Sequence, residues 1–250
     1  MVIRGEQLEA FRRHAEAGFE RECCEHLCAY VPVLARESGV EAFRSATRSG
    51  LGKARTYGLY QRGAAQLYLE LTVTLGGEFD TDPQYAWLMS VISGTTELTP
   101  RQRSEIIYWH VARFIEQSCG PGNEFAHAAL RRLAGLDSQR IREVAEGFET
   151  RALSFMQWLY PEKLEFIGES AFTALLRASV SAAEQNGLPA AGGSVLAAAL
   201  AVVFGYAVLG DPIHAWARRA IDDAGGDPNT KLNGLLGRTV ALARQLGEGV

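Results

Sequence analysis

The chain lacks a long apolar run, a surplus of positive charge, a cysteine framework and any useful alternation of β-branched residues. Each absence closes a class of function. The most apolar stretch, "VLAAALAVVFGYAVL" (195–209), falls short of the roughly 18 residues a bilayer-spanning helix needs. Lys and Arg number 25 against 29 Asp and Glu, so the formal net charge is −4. That balance argues against the basic face of a nucleic-acid binder and leaves room for a basic partner. The cysteines are Cys23, Cys24, Cys28 and Cys119, three of them crowded into one stretch. They read as reduced thiols of a cytoplasmic protein. The opening "MVIRGEQLEAF" lacks the basic and apolar regions of a secretory leader. "GLGK" (50–53) lacks phosphate-loop spacing, and "AGGSV" (191–195) lacks a nucleophile elbow.

What the chain does have is a phrase written twice. "TDPQYAW" (81–87) and "GDPIHAW" (210–216) share Asp-Pro, two variable residues and Ala-Trp. Residues 19–87 laid on 148–216 without a gap give 19 identities in 69 positions, at an offset of 129. The matches fall on Gly, Pro, Trp and apolar residues, the types that fix backbone and core. The sequence therefore reads as an internal duplication, with copy 1 over 1–136 and copy 2 over 137–250.

The expected fold class is all-α: two tandem helical subdomains of about five helices each. A first helix is predicted from about Glu6 to Tyr30 and over 138–160, capped by Asp137 and stopped by Pro161. Second helices follow near 40–56 and 169–185, and apolar third helices at 61–76 and 190–208. The heptapeptide starts a fourth, with Asp82 and Asp211 as N-caps and the prolines in the first turn. Its tryptophan is expected to point into the core in both copies. "TP" (99–100) and "DP" (227–228) start a fifth, and 125–135 forms a connecting helix. The third helix of copy 2 is apolar enough to be covered on several sides, by the other copy or by a second chain in a homo-oligomer.

No catalytic, cofactor or metal constellation emerges. "CCEHLC" (23–28) sets Cys24 and Cys28 on one helical face, and the histidines are scattered, so thiols packed in the core are the reading. "EFDTDP" (78–83) offers three carboxylates, but copy 2 keeps only Asp211 of them. Asp82 is therefore the cap, and Glu78 and Asp80 are expected in solvent or against a partner. Copy 1 also carries Tyr57, Tyr60, Arg62, Tyr68 and Tyr85 where copy 2 has Asn186, Pro189, Ala191, Ala197 and His214. Tyr and Arg are enriched among interface anchors. The candidate partner-binding residues are thus Tyr57, Tyr60, Arg62, Glu78, Asp80 and Tyr85.

The stretches "GLYQRGAAQLYLELTVTLGGEFDTDPQYAW", "GPGNEFAHAALRRL" and "YPEKLEFIGESAFTALL" together resemble a helical family encoded in bacterial type VI secretion clusters, beside spike, PAAR and effector genes. The resemblance covers most of the chain and carries no catalytic residues. It implies a non-enzymatic partner of a secreted toxin. The first expectation is an immunity protein that neutralises a cognate toxin by direct binding, with a basic nuclease as a toxin that would suit the acidic chain. The second is an adaptor or chaperone that loads the effector onto the secretion spike. A small-ligand-binding helical bundle, or an enzyme whose residues escape notice, is the third. No direct nucleic-acid binding and no membrane association are expected.

Overall fold

The computed structural model describes residues 5–248, and among them every regular element is helical. The first half contains α1 (Gly5–Tyr30), α2 (Pro32–Ser38), α3 (Val40–Thr56), α4 (Arg62–Leu75), α5 (Ala86–Gly94) and α6 (Pro100–Ser118). A connecting helix, α7 (Glu124–Ala134), leads to the second half. That half comprises α8 (Ser138–Ala145), α9 (Phe148–Leu159), α10 (Pro161–Gln185), α11 (Ala190–Phe204), α12 (Ala215–Asp222) and α13 (Pro228–Glu248).

The helix starts follow local chemistry. Thr99 closes a capping box with Gln102 ahead of α6, and Asp137 accepts the Arg140 amide at 2.7 Å ahead of α8. Two boundaries differ from the sequence reading. The helix predicted over 138–160 breaks at Gly147, whose non-helical backbone (φ −143°, ψ 44°) separates α8 from α9. Its counterpart at the same offset, Gly18, lies inside the unbroken α1. The second helix of copy 2 runs back to Pro161, kinked at Gly168 (φ 78°, ψ 169°). Gly39 has nearly the same conformation (φ 93°, ψ 148°) and separates α2 from α3. A side chain strongly disfavours that backbone, so glycine is required at both places.

The heptapeptides sit where the halves meet. Each Asp-Pro opens a single 3-10 turn, Pro83–Tyr85 or Pro212–His214, before α5 or α12. Asp82 Oδ1 accepts the Gln84 amide and Asp211 Oδ1 accepts the Ile213 amide, both at 2.9 Å. The second oxygen of each crosses to the other half. Asp82 Oδ2 accepts the Tyr206 amide at 2.9 Å, and Asp211 Oδ2 accepts the Gly77 amide at 2.7 Å. Positions 77 and 206 are themselves 129 apart. Beside them Gly76 (φ 109°) and Gly205 (φ 101°) touch backbone to backbone. A Cβ on Gly205 would stand 2.7 Å from the Leu75 carbonyl oxygen, and one on Gly76 would stand 3.0 Å from that of Phe204. The capping aspartates thus also form a reciprocal clasp, and buried side chains of both halves form one continuous core.

Two expectations about burial need correction. Trp216 is buried, its Nε1 donating to His214 Nδ1 at 3.3 Å, but Trp87 is only half-buried. Val195–Val202 of α11 is buried inside the chain by α10, α8, α9 and other helices. The cover expected over that stretch comes from the chain itself, and of α11 only its C-terminal Val203 and Phe204 reach an open pocket. No helix among the described residues is long and apolar enough to cross a membrane.

Candidate functional site

The six residues singled out in the sequence do not form one surface. Lys53 Nζ, on α3, donates to Glu78 Oε2 at 2.6 Å and to Asp80 Oδ1 at 2.8 Å. Tyr57 donates its hydroxyl to Asp80 Oδ2 at 3.1 Å. Burial disfavours the Lys53 charge, yet the hydrogen bonds it donates to Asp80 and Glu78, with their negative charge, outweigh it and hold its pKa above the ordinary value. The Asp80 side chain is only 6% exposed, so the expectation that it lies in solvent or against a partner fails. Tyr85 is buried, and its hydroxyl accepts from Lys163 Nζ at 3.0 Å, which removes it from any contact surface. Arg62 pairs with Glu22 and lies over the Phe19 ring at 4.4 Å. Tyr60 alone of the six is an open aromatic.

Cys23 and Cys24 pack in the core, and burial pushes the Cys23 thiol up to about 11. Among the described residues no three His, Cys, Asp or Glu side chains are grouped to hold a metal ion.

The face that stands out belongs to α6, which the offset comparison did not reach. Tyr108 and Trp109 are adjacent on it and strongly exposed, Trp109 at 70%. Two neighbouring large aromatics on a helix point about 100° apart, so one buried stripe cannot hold both. That signal was present in "YWH".

The counterpart of α6 is α13, here at an offset of 128 because one residue is missing between Trp216 and Pro228. The shift is visible in side chains. Arg103 on α6 reaches the space beside Gly58, as Lys231 on α13 does beside Gly187. Tyr108 then corresponds to Leu236, Ala112 to Val240 and Ile115 to Ala243. On α13 this stripe is covered: Leu236 and Ala243 are buried, and α7 packs along the helix, with Leu130 beside Gly247. On α6 the same stripe lines an open depression of about 480 Å³ with Leu67 of α4.

The other flank of α6 lines a larger groove of about 880 Å³, facing α5 and the first turns of α10. Trp87, Phe166 and Phe125 give it an aromatic wall, and Trp87 meets Phe166 edge-on at 5.5 Å between centroids. Arg113, Glu116, Glu162 and Glu165 also line it. Three residues of its lining each carry an atom sealed from solvent and without a hydrogen-bond partner: Trp87 Nε1, Gln84 Oε1 and Glu162 Oε2. Known protein families, curated proteins and solved structures provide no match to this chain.

Proposed function

We propose that this chain is a non-enzymatic binding protein that holds a partner protein across α6. One observation carries the reading. The stripe that α7 covers on α13 is open on α6, beside exposed Tyr108 and Trp109. Tyr and Trp supply large contact area at low entropic cost and dominate interface energetics. The resemblance noted from the sequence suggests the partner: a cognate type VI secretion toxin, neutralised in the cytoplasm by occupation of a surface. The chain's acidic balance favours a basic toxin.

The test is co-expression with the neighbouring effector, followed by survival and capture. Wild type should protect and co-purify. Tyr108→Ala combined with Trp109→Ala should weaken capture by about a hundredfold, the scale of losing one or two interface anchors. Its thermal melt should stay close to wild type, because both rings are largely in solvent. Full protection and capture by that variant would overturn the placement on α6. Loss of toxicity without any complex would overturn binding as the mechanism.

A further inference from the structure

We infer that two copies of this chain pair by exchanging the N-terminal arms of α1, each arm lying in a seat on α4 and α6 of the other copy. The inference goes beyond the protein-binding reading above. A bare arm and an open seat, matched to each other through the duplication, carry it.

The arm is the first turns of α1. Residues 5–17 are all exposed, Phe11 at 65%. Leu8, Phe11 and Ala15 recur at helical spacing on one face, which continues into Phe19. The Arg62 guanidinium at the start of α4 covers Phe19, and before that point the stripe is bare. At the offset of 129, arm residues 9–16 are the counterpart of α8. In the second half the break at Gly147 turns α8 back. It packs against α11 and α9 with Ile141 and Val144 buried. In the first half α1 runs on through Gly18, and Glu16 pairs with Arg55 of α3 along that course. A continuous helix cannot fold back on its own half, so the cover for Leu8 and Phe11 comes from another molecule.

The seat is the surface that α8 covers in the second half. There a Cβ on Gly192 would meet Ile141 Cγ2 of α8 at 3.6 Å and Leu232 Cδ2 of α13 at 3.0 Å. Ser138 of α8 donates to Asn233 Oδ1 of α13 at 3.2 Å. The counterpart of Gly192 is Gly63 on α4, where a Cβ would meet nothing within 4 Å beyond its own helix. Around it, Ser104 stands for Leu232, Tyr108 for Leu236 and Tyr60 for Pro189, and both tyrosines are exposed. The strict counterpart of Ile141 is Arg12, so the arm presents its apolar face one residue earlier, with Phe11 over Gly63. Phe11 is larger than Ile141 and Ser104 smaller than Leu232, so the bigger ring matches the roomier seat. Two copies related by a two-fold axis make this contact twice and close as a dimer. The stripe from Ala112 to Ile115, the counterpart of the one α7 covers, stays open beside the docked arm.

The experiment is sedimentation equilibrium of the full chain, taken up to about 100 µM so that a contact of modest affinity is populated. Wild type should approach twice the 27.2 kDa of one chain. Leu8→Asp combined with Phe11→Asp should return it to the mass of one chain. Gly63→Glu should do the same from the seat side. Position 63 is exposed in the first turn of α4, where an acidic residue suits the helix, so the change blocks the seat without disturbing the fold. Both variants should keep the wild-type thermal melt in dilute solution, because all three positions are exposed. A chain that stays monomeric at every concentration would overturn the proposal. A dimer that survives Gly63→Glu would overturn it too, because the arms would then be pairing with each other. So would a dimer indifferent to the Leu8 and Phe11 changes. No toxin takes part, so failure here is distinct from failure of the α6 interface, which the Tyr108 and Trp109 variants test alone.

Discussion

Asp82 and Asp211 each do two things with one carboxylate. One oxygen caps a turn and the other takes a backbone amide from the opposite half. Replacing either with Ala removes the cap and the cross-half bond, and at Asp82 also the bond from Gln84 Nε2, and leaves a buried amide unpaired. The expected loss is about 3 kcal/mol, well above the ~1 kcal/mol of an ordinary cap. Denaturant melts of Asp82→Ala and Asp211→Ala check this, and a loss near 1 kcal/mol would reduce the clasp to two caps. Lys163 gives a second prediction at this scale. It is buried against the Tyr85 hydroxyl and the Val202 carbonyl, and desolvation lowers its pKa from 10.5 to about 8 although Asp82 favours its charge. Above pH 8 the folded chain holds fewer protons at this site than the unfolded chain, so its contribution makes stability rise with pH. Cys23 and Cys28 titrate near 9 when unfolded and near 11 when folded, and they oppose the rise above pH 9. The Lys163 contribution is therefore cleanest between pH 8 and 9. Lys163→Met should remove that rise relative to wild type, and parallel profiles for the two proteins would contradict it.

Among the elements, what the sequence made legible was whatever depends on neighbours in the chain. Asp-Pro, Thr-Pro and Asp137 announce helix starts because capping and the fixed proline φ are local effects. Gly39, Gly76, Gly168 and Gly205 recur at the offset because each holds a positive φ. The break at Gly147 was not legible, since the matching Gly18 sits within a continuous helix. Tertiary packing, not propensity, decides between those outcomes. The same limit explains the candidate residues. Tyr85 and Asp80 differ between the copies because they serve internal partners, Lys163 and Lys53, and nothing in residue type separates that from an interface. The crossing of Gly76 with Gly205 supplies the prediction at this scale. Gly205→Ala forces a side chain onto a left-handed backbone and into the Leu75 carbonyl. It should cost about 3 kcal/mol or more. A thermal melt within a degree or two of wild type would show that the two backbones can part cheaply.

Across the whole molecule, the two halves repeat particular backbone features, the positive φ of Gly39 and Gly168 and of Gly76 and Gly205 and the Asp-Pro turns, and diverge in what they leave open. The second half buries Trp216 of its heptapeptide and lays α7 along α13. The first half exposes Tyr108 and Trp109 and leaves the stripe between them and Ile115 open beside Leu67. Features common to both halves hold the core together, and the proposed recognition falls on the α6 face that the first half leaves uncovered. A protein that acts by covering a partner's surface works in proportion to its amount. The most direct measurement is a titration of the purified chain against the activity of the toxin proposed as its partner, with toxin held well above the dissociation constant. Inhibition should rise linearly and reach completion at one equivalent. Complete inhibition at a small fraction of an equivalent would mean turnover, and would contradict the account.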